Sequence, residues 1–400
     1  TIQSHHNIDG MDEVAPGGGT VRKLCGTCHN PHGNNNYRLL RDDVNGQSGI
    51  VVRANTLGGY SSGISGFCAA CHTSYGVTGS GVEGYRRHPV NLALTPGEMS
   101  NLSSVSGKPK AQLESGKVMC LSCHFAHGSP SYAMLRMETY TSSEAALCQQ
   151  CHKKGFNAAG QQVRYTHGGF VGNGANCKVC HSTHAKNNKK LLMEPKESQL
   201  CDNCHAGIGK FNEFKSHDPE VLIDAPSRFN VFSSIGNSFG NYSVGGGDVV
   251  SWHEVDGTHT APGGKTLELR CGKCHNPHGG DNFVMLRESV EGVDNIRVFG
   301  HVSSTGPFNT YSSGFASFCQ ACHTKLPDCG TGDPWTRHPV DFKLESTQMH
   351  NWSTTPISPR VPLEAGSQVT CITCHNSHGS KNYSLQRLGG NYMCQQCHKR

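Results

Sequence analysis

The sequence is poor in the residues from which a protein core is usually built. Of its 400 residues only 35% are hydrophobic and 7% are aromatic, while 49 are glycine. A chain of this composition buries too little apolar surface to fold without help. It has no apolar run long enough to span a bilayer, so we expect no transmembrane segment. It also has no run of lysine and arginine and no basic stripe with aromatic residues, so nucleic acid is not an expected partner.

Cysteine, by contrast, is abundant: the chain has 21 cysteines, and 20 of them fall in ten Cys-x-x-Cys-His motifs. The first motif is Cys25-Gly-Thr-Cys28-His29. This is the attachment pattern of a c-type haem, in which two thiols bond to the porphyrin and the adjacent histidine ligates the iron. Structural zinc sites assemble closed sets of four ligands and do not need a histidine after every second cysteine. The sequence therefore predicts ten haem c groups, which would form the missing core.

Each motif contributes two attachment cysteines and one proximal histidine. The predicted covalent attachment residues are Cys25, Cys28, Cys68, Cys71, Cys120, Cys123, Cys148, Cys151, Cys177, Cys180, Cys201, Cys204, Cys271, Cys274, Cys319, Cys322, Cys371, Cys374, Cys394 and Cys397. The predicted proximal ligands of the haem irons are His29, His72, His124, His152, His181, His205, His275, His323, His375 and His398. The remaining cysteine, Cys329, is predicted to be a buried or idle thiol, with a disulfide to another chain as the alternative.

The motifs alternate between two forms. In one form, which we call a head, a second histidine follows the proximal histidine after two residues, as His32 follows His29. The other form, a tail, lacks it, and one head with the next tail makes a doublet. The heads begin at Cys25, Cys120, Cys177, Cys271 and Cys371, and the tails begin at Cys68, Cys148, Cys201, Cys319 and Cys394.

The chain has 25 histidines, so 15 remain to act as distal ligands of the ten irons. The second histidine of a head is too close to reach the far side of its own iron, and we predict that it ligates the tail haem of the same doublet. The head haem then takes a histidine from upstream. The predicted distal ligands are His32, His127, His184, His278 and His378 from the heads, and His6, His88, His167, His253 and His338 from upstream. His217 is an alternative to His253, and the histidines left over are His5, His259, His301 and His350.

Motif spacing indicates an internal duplication. The first four motifs are separated by 43, 52 and 28 residues and the last four by 48, 52 and 23. Flanking strings repeat too: Arg87-His88-Pro89-Val90 corresponds to Arg337-His338-Pro339-Val340. We therefore predict a four-haem module at 1–155, a central doublet with a haem-poor segment at 156–245, and a second module at 246–400 that superposes on the first. The expected fold is mostly irregular, with short helices at the haem motifs and few short strands, wrapped around a continuous chain of haems.

The strings Cys25–Gly33 and Cys271–Gly279, both C-x-x-C-H-N-P-H-G, resemble the doubled-CxxCH family of multihaem c-type cytochromes. The resemblance covers all five doublets and implies electron transfer to partners outside the inner membrane. A line of close, bis-histidine haems in a chain with little secondary structure is also similar in style to extracellular cytochromes that polymerise into conductive filaments. We therefore expect an electron conduit, not an enzyme. The alternative is a multihaem reductase of nitrite, hydroxylamine or sulfur oxyanions, which needs an open iron position; ten intact motifs and surplus histidines favour the conduit.

The resemblance and the motif class also predict where the protein acts. Haem c is attached outside the cytoplasm, and the sequence begins at Thr1 without a signal peptide, so we expect a processed, exported protein that is periplasmic or, preferably, extracellular. The formal net charge of +5 would be outweighed by the propionates of ten haems and is therefore no evidence for nucleic acid as a partner. The expected partners are redox proteins or extracellular acceptors, and a head-to-tail homopolymer in which the arm carrying His5 and His6 reaches a second copy. A monomer in which His6 ligates its own Cys25–Cys28 haem is the alternative.

Overall fold

The computed structural model describes most of the chain around the motifs. The described residues are 2–75, 88, 90–102, 111–136, 145–152, 154–157, 159, 161–165, 177–182, 184, 190–205, 251–253, 257–261, 265–301, 310–324, 340–357, 361, 363, 368–375, 377, 379–380, 384 and 386–398. Among the residues with a predicted role, His167, Cys329, His338 and His378 lie outside them, as does the alternative ligand His217.

The elements are short, and loops connect them throughout the described residues. The α-helices are Cys25–Cys28, Ile64–Ala69, Pro96–Asn101, Cys120–Cys123, Ala145–Gln149, Cys177–Cys180, Glu197–His205, Cys271–Cys274, Phe315–Gln320, Ser346–Thr354, Cys371–Cys374 and Tyr392–Gln395. Single 3-10 turns form at Tyr37–Leu39, Thr73–Tyr75, Tyr132–Met134 and Phe283–Met285. The predicted loop-rich fold with short helices at the motifs and few short strands is confirmed. None of the helices in the described part of the chain combines the length and the apolar character needed to cross a bilayer.

The strands in the described residues form two-stranded antiparallel sheets. The pairs are Ser4–His5 with Gly128–Ser129, Asp12–Val14 with Thr20–Arg22, Asp43–Val44 with Gln47–Ser48, Arg53–Ala54 with Tyr60–Ser62, Leu92–Ala93 with Lys117–Val118, Ser251–Trp252 with Gly379–Ser380, Gly257–Thr260 with Thr266–Leu269, Phe299–His301 with Thr310–Ser313, and Phe342–Lys343 with Gln368–Val369. Such two-stranded ribbons are marginal by themselves. They depend on what packs beside them.

The chain divides into two compact units, Thr1–Lys154 with Gly169–Pro195 and Gly155–Gly168 with Lys196–Arg400. Four consecutive motifs, from Cys25 to His152, lie in the first unit, and the four from Cys271 to His398 lie in the second. The central doublet is divided: its head lies in the first unit and its tail in the second.

Each unit has a small apolar cluster built from corresponding residues. The first consists of Leu40, Val44, Val52, Ile64, Phe67, Ala70, Met119 and Leu121. The second consists of Phe283, Leu286, Val290, Ile296, Val298, Phe315, Ala321 and Ile372. Both clusters lie against a head, the following tail and the next head, so the packing that positions these motifs is repeated in the two units.

A buried asparagine supports each cluster. Asn36 donates from its side-chain nitrogen to the Ile50 carbonyl at 2.7 Å and accepts from the Val52 amide at 2.8 Å. Asn282 makes the corresponding bonds to Ile296 and Val298, both at 2.9 Å. Since a buried amide without partners would cost free energy, this double hydrogen bond fixes the loop that follows each head.

Candidate haem sites

All five heads fold in the same way. The four residues from cysteine to cysteine form one helical turn, and the following histidine is extended, as in His29 with φ −116° and ψ 143°. Where the third residue of the turn is Thr or Ser, its hydroxyl accepts a hydrogen bond from the amide that precedes the helix, as Thr27 does from Leu24 at 3.0 Å. The helical turn brings both thiols to one side of the backbone, and the extended residue that follows it places the histidine next to them.

The proximal histidine of each head is held by a backbone carbonyl nine residues further on. The Nδ1 atoms of His29, His124, His181, His275 and His375 lie 3.0, 2.8, 2.8, 3.0 and 2.8 Å from the carbonyl oxygens of Arg38, Ala133, Lys190, Val284 and Ser384. Because a carbonyl only accepts, Nδ1 carries the proton and Nε2 keeps its lone pair. This is the usual second contact of a histidine that ligates a metal, and it fixes both the tautomer and the ring orientation.

A turn with left-handed backbone presents that carbonyl. Arg38 and Leu39 have φ of 57° and 58°, and Val284 and Met285 have 48° and 58°. The sequence offers no glycine at these positions, so residue type did not reveal the turn. Backbone hydrogen bonds hold the turn: the Asn30 amide donates to the Leu39 carbonyl at 2.7 Å, and the Asn276 amide donates to the Met285 carbonyl at 2.8 Å.

An arginine twelve residues after the proximal histidine secures three of the heads. Arg136, Arg287 and Arg387 each donate through Nε to the carbonyl of the second residue in the head helix, at 2.6 Å for Arg387 and Ile372. Arg41 occupies the same position in the first head, but its Nε donates to Asp43 instead, at 3.1 Å. These arginines were not predicted, although their constant spacing from the motif is visible in the sequence.

The first tail is held from upstream of its head. The Nδ1 atom of His72 lies 2.8 Å from the Pro16 carbonyl, and the Ser74 amide donates to Gly17 at 2.6 Å. The hairpin of Asp12–Val14 and Thr20–Arg22 therefore places its tip against the tail. Gly18 has no room for a side chain there, because a Cβ atom would lie 1.8 Å from the Cys71 carbonyl oxygen.

Five histidines face a proximal histidine across a constant gap. The ring centroids are 6.1 Å apart for His6 and His72, 6.1 Å for His29 and His127, 6.1 Å for His88 and His152, 5.9 Å for His124 and His184, and 6.3 Å for His253 and His323. Each pair lies within one unit.

The gap fits a haem iron. Two imidazoles that bind one metal ion from opposite sides, each through a metal–nitrogen bond of about 2 Å, have ring centroids about 6 Å apart. The distal rings are prepared like the proximal ones: the Nδ1 atoms of His6 and His253 lie 2.7 and 2.5 Å from the carbonyl oxygens of Ala126 and Ser377. Burial lowers the pKa of both imidazoles, which favours the neutral form that ligates iron. These residues therefore fit a bis-histidine haem.

The pairs differ from those predicted within a doublet. His6 was predicted to serve the head haem on His29, but its ring lies opposite the tail histidine His72. His127 was predicted to serve the tail of its own doublet, but it lies opposite His29, in the preceding head. The same correction applies to three others: His88 and His253 face the tail histidines His152 and His323, and His184 faces the head histidine His124.

The strands give the physical reason for this exchange. The Asp12–Arg22 hairpin comes before the head in the sequence, and its tip contacts the tail at His72. The residues that precede the hairpin, including His6, therefore lie near His72 and not near His29. The strand Ser4–His5 then pairs with Gly128–Ser129, directly after His127. Ser251–Trp252 pairs with Gly379–Ser380 in the same way, directly after the last head.

The attachment cysteines of successive motifs approach one another. In the first unit Cys28 interacts with Cys71, Cys68 hydrogen-bonds to Cys120, and Cys123 interacts with Cys151. The second unit repeats this with Cys274 and Cys322, Cys319 and Cys371, and Cys374 and Cys397. Burial raises the pKa of the Cys123, Cys274 and Cys374 thiols to about 11, a property of the thiols before attachment, since a thioether does not titrate.

Two further observations bear on the chemistry. Among the described residues no group of three or more His, Cys, Asp or Glu side chains is placed to hold a metal ion. Tyr75, which was not predicted, stacks on His184 with ring centroids 4.6 Å apart and lies 6.2 Å from His72. It therefore contacts histidines of two neighbouring pairs. The remaining predicted distal ligands in the described part, His32 and His278, lie in the turns that follow their heads.

The motifs also match a known family. The family model for the doubled CXXCH motif matches residues 19–47, 111–156, 167–210 and 361–400. No curated protein and no solved structure gives a significant match to the chain. The family match, the repeated attachment motifs and the histidine pairs agree on the same cofactor. The doubled CXXCH motif family model covers 159 of the 400 residues, and this match is consistent with a multihaem c-type cytochrome.

Proposed function

We propose that the protein conducts electrons through ten covalently bound haems, each ligated by two histidines, and that it has no substrate site. The observation that carries this proposal is the set of five histidine pairs with centroids 5.9–6.3 Å apart, each next to a Cys-x-x-Cys turn. An iron bound on both sides by imidazole has no position left for a substrate and exchanges single electrons with little rearrangement.

The approach of successive motifs supports conduction along each unit. Since Cys28 interacts with Cys71, Cys68 with Cys120, and Cys123 with Cys151, haems attached to these cysteines would be neighbours in the order of the sequence. The same three contacts recur in the second unit. We infer a continuous haem line in each four-motif set.

The chain's own residues prepare the irons for this role. The carbonyls that accept from Nδ1 hold each proximal ring in one tautomer and make its Nε2 a stronger ligand, which stabilises the oxidised metal. Backbone hydrogen bonds hold the turns that present these carbonyls against the heads, for example the bond that the Arg41 amide donates to the Cys28 carbonyl at 2.9 Å. We infer that these turns are rigid. Rigid ligands on both sides keep the geometry of the two oxidation states alike.

We further propose that the protein acts outside the cytoplasm, since cytochromes with covalent haem c are typically periplasmic or extracellular. Of these two locations we prefer the extracellular one. The partners would be redox proteins or extracellular acceptors. A reductase of nitrite, hydroxylamine or sulfur oxyanions is the second candidate. The observation that favours it concerns His375, which is exposed and has no imidazole opposite it among the described residues.

One preparation tests the proposal. The intact mass of the purified holoprotein should exceed that of the chain by ten haems, and the oxidised and dithionite-reduced spectra should be those of low-spin haem. A smaller mass increment would contradict the predicted haem number. Carbon monoxide separates the two functions, because it binds only an iron with an open or weakly held position. A CO adduct on one haem together with turnover of nitrite, hydroxylamine or sulfite would overturn the conduit and favour the reductase.

A further inference from the structure

The two imidazoles of a pair differ from site to site in how far one ring is rotated against the other. In the two head pairs, His29 with His127 and His124 with His184, the angle between the ring planes is 27°. In the three tail pairs it is larger: 43° for His6 and His72, 53° for His253 and His323, and 80° for His88 and His152. The pairs in the described part of the chain therefore form two groups, heads with nearly parallel rings and tails with crossed rings.

The local structure that carries the distal ring accounts for this angle. The distal histidines of the heads, His127 and His184, each stand three residues after the proximal histidine of the next head, and both give 27°. His6 and His253 each follow directly after a two-residue strand, and their angles are 43° and 53° although they lie in different units. Because corresponding local structures give similar angles, we infer that the fold fixes the rotation of the rings.

Hydrogen bonds at Nδ1 restrain the rings against rotation. A ring that binds iron through Nε2 can still turn about the iron–nitrogen axis, and a hydrogen bond at Nδ1 prevents this. In the site of the first tail, Nδ1 of His6 lies 2.7 Å from the Ala126 carbonyl oxygen. Nδ1 of His72 lies 2.8 Å from the Pro16 carbonyl oxygen, so both rings of this site are held at their angle of 43°.

Tyr75 restrains the distal ring of the head that begins at Cys120. Its ring stacks on the ring of His184, with centroids 4.6 Å apart and planes 26° apart, so the imidazole cannot turn without losing this contact. Tyr75 is itself held in place, because its amide donates to the His72 carbonyl at 2.9 Å. Its ring also lies against Gly17, where a Cβ atom would come within 2.6 Å of the ring.

The rotation of the two rings changes the electronic state of the iron between them. A low-spin ferric iron has one unpaired electron in a pair of d orbitals that overlap the π systems of the imidazoles. Parallel rings act on the same d orbital and separate the pair in energy, which stabilises the ferric state and lowers the reduction potential. Crossed rings act on one orbital each, so the pair stays close in energy and this stabilisation is lost. The orientation of the axial ligands thus adds to their identity in setting the potential.

We propose that heads and tails are two electronic classes of haem, with lower reduction potentials in the heads and higher potentials in the tails. Tyr75 is a positioning residue that keeps one head in its class, since it holds His184 nearly parallel to His124. The inference rests on the proposed function, because both rings of a pair must bind iron. Heads and tails alternate along the sequence, so electrons would reside on the tails and pass through the heads between them.

A redox titration of the wild-type holoprotein, followed by electron paramagnetic resonance, tests the two classes. Nearly parallel rings give a rhombic low-spin signal, and crossed rings give a highly anisotropic signal with a larger maximum g value. Both signals should be present when the protein is oxidised, and the rhombic one should account for at least two of the ten predicted haems. The highly anisotropic signal should disappear first as the potential is lowered. A single type of signal, or earlier loss of the rhombic signal, would overturn the inference.

Variants that lack one haem assign the two signals. The double change Cys148→Ala, Cys151→Ala removes the haem whose rings are 80° apart, so it should take intensity from the highly anisotropic signal alone. The double change Cys25→Ala, Cys28→Ala removes a haem whose rings are 27° apart, so it should take intensity from the rhombic signal alone. The opposite pattern would contradict the assignment of heads and tails.

Tyr75→Leu and Tyr75→Phe test the positioning residue. In Tyr75→Leu the signal of about one haem in ten should move from the rhombic to the highly anisotropic class and titrate at a higher potential, with all haems still low-spin. Tyr75→Phe keeps the ring and should give the wild-type signals. A wild-type spectrum of Tyr75→Leu, or the same change in both variants, would refute the role of Tyr75. Loss of haem from Tyr75→Leu would not affect the titration of the wild-type protein, which decides on the two classes.

The failure of this inference differs from the failure of the proposed function. Low-spin haems with a single type of signal would overturn the two classes and leave the electron conduit standing. High-spin haem in the wild-type protein, or a mass increment that falls short of ten haems, would contradict the proposed function itself.

Discussion

Replacing His127 by alanine tests which haem this histidine serves. The ring of His127 is exposed and 6.1 Å from His29, so its removal costs little packing and takes away one iron ligand. We expect about one-tenth of the haem to change from low-spin to high-spin, because one iron in ten loses an imidazole. Absorption near the high-spin charge-transfer band and CO binding after reduction both measure that fraction.

A second change identifies the haem. In a protein with Cys25→Ala and Cys28→Ala the first haem is not attached, and nine remain by the motif count. Adding His127→Ala to this background should produce no new high-spin haem, since the iron that it served is gone. In a Cys148→Ala, Cys151→Ala background the same change should still convert about one haem in nine. The reverse pattern would refute the assignment and restore the pairing within a doublet.

Three further predictions concern residues around the haems. Arg387→Met should lower the free energy of unfolding of the holoprotein by about 2 kcal/mol in a denaturant titration, because the Ile372 carbonyl loses a charge-assisted hydrogen bond. Arg41→Met is the control: Arg41 donates to the Asp43 carbonyl and not to the head helix, so the free energy of unfolding should change much less. Gly63→Ala should cost more than about 2 kcal/mol, because φ is 91° and a Cβ atom would lie 1.9 Å from the Val51 carbonyl oxygen, while Gly97→Ala, in open space on a helix, should be neutral or stabilising. Tyr75→Leu removes ring stacking worth about 1 kcal/mol from His184, so CO should displace one haem ligand about fivefold more readily than in wild type. Tyr75→Phe keeps the ring and should bind CO as wild type does. Equal CO binding by the two variants would count against a role for the ring.

The attachment chemistry could be read from the sequence because it is local. Two cysteines separated by two residues reach one porphyrin, and the adjacent histidine reaches its iron, whatever the rest of the chain does. The turn Cys25–Cys28 and the extended His29 follow from the same short string. The loop-rich fold was predictable for a related reason, since a chain with so few apolar residues cannot build large sheets or long amphipathic helices.

The partners of the proximal histidines were decided by the path of the backbone. His29 and His127 are almost a hundred residues apart, and no spacing rule connects them. They meet because Ser4–His5 pairs with Gly128–Ser129 and because the Asp12–Arg22 hairpin turns the chain back over the first tail.

The supports of the heads show the same division. The carbonyl that orients His29 belongs to Arg38, which has a left-handed φ of 57°. This backbone conformation could not be predicted from the residue type. It arises because Asn36 fixes the loop from inside, through bonds to Ile50 and Val52. The sequence thus predicts where each haem would be attached, since covalent reach is short, whereas only the tertiary structure decided which imidazole rings lie opposite one another, since that depends on long-range packing.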